Sequence, residues 1–151
     1  MLCSLHCVRA HRVNSVTNEG EVYFALFGGD FDPNEVTRLV GLEPTSIRRK
    51  RDPVPRHSSW QFSIGKVEGE VVDVYEMSRA LVERLSSHTQ GIIRAMQELK
   101  LEAVLQVVLR ISTDDSVSTP AIGFTPEVLS FLSAVGEIGR ASCRERVCLA
   151  V

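Results

Sequence analysis

A chain of 151 residues is the size of one domain around one hydrophobic core. Its 44% hydrophobic and 24% charged residues are the balance of a globular protein and exclude disorder for the bulk of it. A formal charge of −2 excludes a global basic field for nucleic acid, and no apolar run is long enough to cross a bilayer, so no membrane partner is expected.

In chain order, residues 1–20 carry neither helical nor strand periodicity and read as a loose lead. His6, Arg9, His11 and Arg12 interrupt any apolar stretch there, which disfavours a signal peptide and makes a cytoplasmic location the expectation. Order is expected from Glu21–Gly28 (EVYFALFG), a buried strand with Phe24 and Leu26 in the core. A helix start follows. Asp32 can cap the free amides, Pro33 suits the first helical position, and Glu35 completes a box-like arrangement. Val36, Leu39 and Val40 give that helix its apolar face, and Gly41 ends it.

Residues 43–57 read as a loop rich in proline and arginine. Ser59–Ile64 alternates, with Trp60, Phe62 and Ile64 on the core face of a second strand, and Gly65–Gly69 reads as a turn. Val74, Met77, Leu81 and Leu85 recur at helical spacing. After a break at Ser86–Gln90, a second helical stripe carries Ile92, Ile93, Met96 and Leu99. Ala103–Ser112 (AVLQVVLRIS) is the strongest strand, with Val107 and Leu109 in the core. Thr125 as cap and Pro126 at the first position open a last helix bearing Val128, Leu129, Leu132 and Val135, closed by Gly136.

The fold class is therefore α+β: a small mixed or antiparallel sheet of about three to four strands with helices packed on it, in one domain spanning residues 21–136. Phe31-Asp32-Pro33 is echoed by Phe124-Thr125-Pro126, each between a strand and a short helix ending in glycine. Duplicated β-α-β halves would produce this, as would cap chemistry alone; a duplication would require a strand after Gly136. Residues 137–151 contain no such pattern, and Glu137–Val147 (EIGRASCRERV) is similar to the translation of a sequencing adapter. A non-native tail with the closing strand missing is the expectation.

YFALFGGDFDPNEVTRLVGLEPT, the tryptophan of SSWQFS, the paired helical stretches before LQVVLRIS, and FTPEVLSFLSAVG together resemble the bacterial domain of unknown function 4279 family, over about residues 22–136. The resemblance implies a small α+β domain whose last helix is followed by a final acidic and aromatic strand. It implies no reaction and no catalytic residue.

The chemistry-bearing clusters have bland readings beside the sharp ones. Asp30, Asp32 and Glu35 could approach a divalent cation, but capping accounts for two of them and no calcium loop of about twelve residues follows. Cys3, His6, Cys7 and His11 have zinc-like spacing in a segment without a knuckle or helix, and no metal is assigned. No cofactor fingerprint occurs: Gly28-Gly29 lacks the dinucleotide spacing and there is no phosphate-binding loop motif. Asp30 or Asp32 with His57 could form a hydrolase-like pair, but only if the fold brings them into one pocket. Arg48, Arg49, Lys50, Arg51 and Arg56 are the dense basic run; beside Pro53 and Pro55 they read first as a solvated loop rather than a phosphate site, and they remain the best candidates for a partner contact. A protein partner is the first expectation. Nucleic acid is disfavoured, because only Trp60 lies near the run as an aromatic and it belongs to the core.

Overall fold

The computed structural model describes residues 17–136. Strand β1 (Asn18–Gly28) buries alternate residues from its first position, Asn18, Gly20, Val22, Phe24 and Leu26, so the core-facing phase begins before the apolar run does. Helix α1 (Pro33–Val40) starts as its residues dictate. Asp32 has extended backbone and its carboxylate accepts the Asn34 N–H at 3.0 Å, Pro33 follows, and Gly41 closes the helix at φ 73° with its N–H on the Thr37 carbonyl. Glu35 does not close a capping box: its carboxylate pairs with Arg38 one turn on.

Strand β2 (Ser46–Arg48) lies inside the stretch expected to be loop. Three residues with one apolar member leave no readable period, and pairing with a neighbour supplies what the pattern lacks. Strand β3 (Ser58–Gly69) runs through the expected turn. The register against β1 passes from Tyr23↔Ser63 to Glu21↔Lys66, so Ile64 and Gly65 together face Val22. Gly65, at φ 103°, marks a bulge rather than a chain reversal. Past it the strand projects beyond the core, which leaves Ile64 at 41% exposure instead of on the face shared by Trp60 and Phe62.

Helices α2 (Val74–Ser86) and α3 (Thr89–Leu99) are followed by β4 (Glu102–Arg110) and α4 (Pro126–Val135). The sheet order is β2-β3-β1-β4, with every neighbouring pair antiparallel. Val22, Phe24, Leu26, Trp60, Phe62, Ala103, Leu105, Val107 and Leu109 turn one face of it toward the helices and form the core with residues from all four of them. Alternate positions such as Tyr23, Gln61, Val104 and Gln106 are only partly covered. Trp60 is fully buried and satisfies its indole by donating to Thr37 Oγ1 at 3.1 Å, which ties β3 to α1. Phe24 meets Phe131 of α4 edge to face at 5.7 Å, worth about 1 kcal/mol beyond the area it buries.

In α4 the buried set is Val128, Phe131, Leu132 and Val135, a one-sided stripe; Leu129 points outward at 53% exposure. Thr125 occupies the cap position before Pro126, but its hydroxyl makes no capping bond. Both strand–helix units of the expected duplication exist, β1–α1 and β4–α4. Their connections differ: residues 29–32 in the first, residues 111–125 in the second. The strand expected after Gly136 lies outside the described residues, as do Cys3, His6, Cys7 and His11.

Candidate functional site

The basic run forms the connection between β2 and β3, at the end of the sheet where β1 stops. Arg48 pairs with Ser59 across the ladder, and the chain leaves at Arg49 and returns at Ser58. Three backbone bonds shape the excursion. Arg51 N–H donates to the Pro55 carbonyl at 2.8 Å, Lys50 N–H to Ser58 Oγ at 2.9 Å, and Ser58 N–H to the Gly29 carbonyl at 3.0 Å. Arg48, Arg49, Lys50, Arg51, Arg56 and His57 are all exposed, and Val54 stands among them at 73% exposure.

The cations here are more densely grouped than those elsewhere. Arg38, Lys66, Arg79, Arg94 and Arg110 each have a carboxylate at ion-pair distance. In the loop only Arg49 has one, 2.5 Å from Asp32 of the α1 cap. Among the described residues, Arg48, Lys50, Arg51 and Arg56 have none, and although Arg84 and Lys100 elsewhere have none either, only here do such cations cluster. Asp52 is the one acidic residue among them, so the loop carries a net positive field on a chain whose formal charge is −2. Arg48 also acts on the outer sheet face: Tyr23 there is held above the ordinary tyrosine value, by burial first and by Glu21 second, with Arg48 opposing both.

The fold brings the hydrolase candidates to this same end, since Gly28 faces Ser58 in register. It does not join them. One Asp32 carboxylate oxygen, Oδ1, accepts both the Asn34 amide and Arg49, and the buried Ser58 oxygen accepts the Lys50 amide. Among the described residues no hydrogen bond or ion pair links His57 to Asp30 or Asp32. Nor does any group of three or more histidine, cysteine or acidic side chains there suit a metal ion. No described helix is long and apolar enough to cross a membrane.

A family model described as "Domain of unknown function (DUF4279)" matches residues 17–137. The chain belongs to this family. No curated protein and no solved structure matches it. The DUF4279 match begins within one residue of β1 and ends one residue beyond Gly136, so it spans the whole described fold, and the description carries no activity.

The far end of this DUF4279 sheet holds a feature that the sequence reading missed. Asn18, 0% exposed, donates from Nδ2 to the Glu70 carbonyl at 3.3 Å and to the Ser118 carbonyl at 3.0 Å, and its Oδ1 accepts the Ser112 N–H at 2.8 Å. One amide therefore clamps the β3–α2 connection to the β4–α4 connection, and the walls so joined enclose a half-open cavity of about 200 Å3. The signal for Asn18 was its phase: it lies six residues before Phe24, on the same strand face. Nothing in the sequence shows that Glu70–Tyr75 and Ser118–Ala121 meet.

Proposed function

We propose that this chain is a non-enzymatic binding module that engages an acidic protein surface through the β2–β3 loop. The observation that carries the reading is the density of cations without an ion pair, Arg48, Lys50, Arg51 and Arg56 within nine positions, where the other described unpaired cations, Arg84 and Lys100, stand singly. Such a patch steers an oppositely charged partner and raises its rate of encounter. The exposed Val54 among the charges favours protein over nucleic acid. An apolar centre with a polar rim is the anatomy of a protein interface, whereas a strand of nucleic acid asks for aromatic platforms beside the cations. The absence of any hydrogen bond or ion pair joining His57 to Asp30 or Asp32 among the described residues weighs against the hydrolase reading.

The test is affinity capture from the source cells with the full chain after nuclease treatment, followed by binding measurements on the purified captured protein. A triple variant, Arg48→Glu, Arg51→Glu and Arg56→Glu, is expected to lose the partner, and raising salt is expected to weaken the wild-type complex. Val54→Ser, which removes apolar area without adding charge, is expected to weaken it without a change in salt dependence. Capture unaffected by the triple variant overturns the reading. Retention that disappears with nuclease, or that reappears on single-stranded DNA, assigns the loop to nucleic acid instead.

A further inference from the structure

The cavity at the far end of the sheet has its own chemistry, independent of the loop. Its walls are largely apolar, from Val72, Tyr75, Pro120 and Ala121, while Glu70 and Asp73 supply carboxylates. Among the described residues neither carboxylate has a cation at ion-pair distance. One oxygen of Asp73 caps α2 by accepting the Glu76 N–H at 3.1 Å, and the other remains available. We propose that the cavity binds a small free organic cation, an ammonium or guanidinium carried on a short aliphatic stem.

Size, charge and rigidity each narrow the ligand. The volume of about 200 Å3 lies below the roughly 300–1,000 Å3 of sites for drug-sized ligands, which excludes a nucleotide or similar cofactor. Two acidic residues among those lining the cavity repel anions and favour a cation, and the Tyr75 ring would add attraction for a cation placed over its face. The walls are held before any ligand arrives. Asn18 fixes both connections, Val72 fills the space a side chain at Gly20 would need, 2.4 Å from a notional Cβ, and the Tyr75 hydroxyl lies against Gly123 at 2.1 Å from such an atom. A preorganised cavity loses less entropy on binding, so a small ligand can hold there.

The experiment is an NMR titration of the full chain with n-butylammonium, with 1-butanol and butyrate as neutral and anionic isosteres. Butylammonium is expected to shift the amides of Val72, Tyr75 and Ala121 together, with a Kd on the order of a millimolar, as suits so few atoms. Butanol is expected to bind about tenfold more weakly or less, and butyrate not at all. The double variant Glu70→Gln, Asp73→Asn removes the charges while keeping the cap, because asparagine caps as well as aspartate. It is expected to lose about tenfold in butylammonium affinity at an unchanged urea midpoint. N-acetyl-lysine amide, which hangs the same stem from a peptide unit, separates a free amine from a protein side chain and is expected to bind more weakly. Equal binding of butanol, shifts scattered over the surface, or an unaffected double variant overturns the site. Equal binding of the lysine derivative overturns the free-ligand assignment.

Discussion

The two ends of the sheet are built by opposite means. At the β2–β3 end a charged loop is shaped by a few bonds of its own backbone and one ion pair to α1, with nearly every side chain in solvent. At the Asn18 end two connections distant in sequence are locked by one buried amide and by side chains fitted against glycine backbone. A patch of charge needs only exposure and the absence of counter-charges, so it tolerates a lightly held scaffold. A cavity needs its walls held apart and in register, which only buried polar bonds and close packing provide. Mutational cost should therefore be steep at one end and shallow at the other.

Asn18 gives the steepest case. Asn18→Ala leaves two carbonyls and one amide without their partner, and is expected to cost about 3 kcal/mol by urea denaturation, at roughly 1–3 kcal/mol for each buried group left unsatisfied. Amide exchange should accelerate at Ser112, whose N–H the Asn18 oxygen accepts, before it does in β1. A cost below about 1 kcal/mol would mean that solvent replaces the bonds and that the clamp is not the source of rigidity.

A pair of glycine substitutions tests the same contrast through packing. Gly20→Ala drives a methyl into Val72 and Leu109, both well packed, and is expected to cost about 1–3 kcal/mol. Gly29→Ala at the loop end meets nothing within 4 Å and is expected to change stability by about 0.5 kcal/mol or less, measured in the same urea series. Equal costs would erase the difference between the ends.

The same contrast decides what could be read from the sequence. The loop end was legible because its elements are local: Asp32, Pro33 and Gly41 delimit α1 by their own backbone chemistry, and Arg48–Arg56 is contiguous. The core strands were legible because Phe24, Leu26, Trp60, Phe62, Val107 and Leu109 keep a period of two, and all are buried. What stayed hidden depends on pairing across the chain. β2 is too short to carry a pattern, Gly65 signals a bulge and a turn with the same letter, and Asn18 is ordered by partners 52 and 100 residues away. Thr125 fails for a related reason: its residue type suits a cap, but its hydroxyl makes no capping bond.

Helix caps give a gentler comparison, because each end begins a helix with an aspartate. Asp73→Ala is expected to cost about 1 kcal/mol of thermal or urea stability, and Asp73→Asn close to nothing. Asp32→Ala removes the α1 cap and also releases Arg49, so its cost should be similar while the loop gains one more free cation. Partner binding by the loop should then persist, since the lost group is a competing carboxylate. Loss of binding in Asp32→Ala would show that the tether to α1, not the charge, shapes the contact surface.

The smallest expected effect is in acid, and it should not distinguish the ends at all. Glu35 on α1 and Glu76 on α2 are each held below the ordinary glutamate range, chiefly by the hydrogen bond from the arginine three residues on, Arg38 or Arg79. A carboxyl whose folded value is depressed contributes stability that is fully present above its unfolded value, about 4.3, and is lost as pH falls through the lower folded value. Both groups are solvent-exposed, so the loss should be slight and should shrink further in salt. Urea midpoints measured at intervals from pH 6 to about pH 3 for the wild type, Glu35→Gln and Glu76→Gln should show three shallow declines, the two variants flatter than the wild type to the same degree. A decline in one variant only would place an unrecognised pH-sensitive contact at that end of the sheet. If it were the Glu76 variant, the cavity lined by Glu70 and Asp73 would be the region to search, because Asp73 opens the same helix.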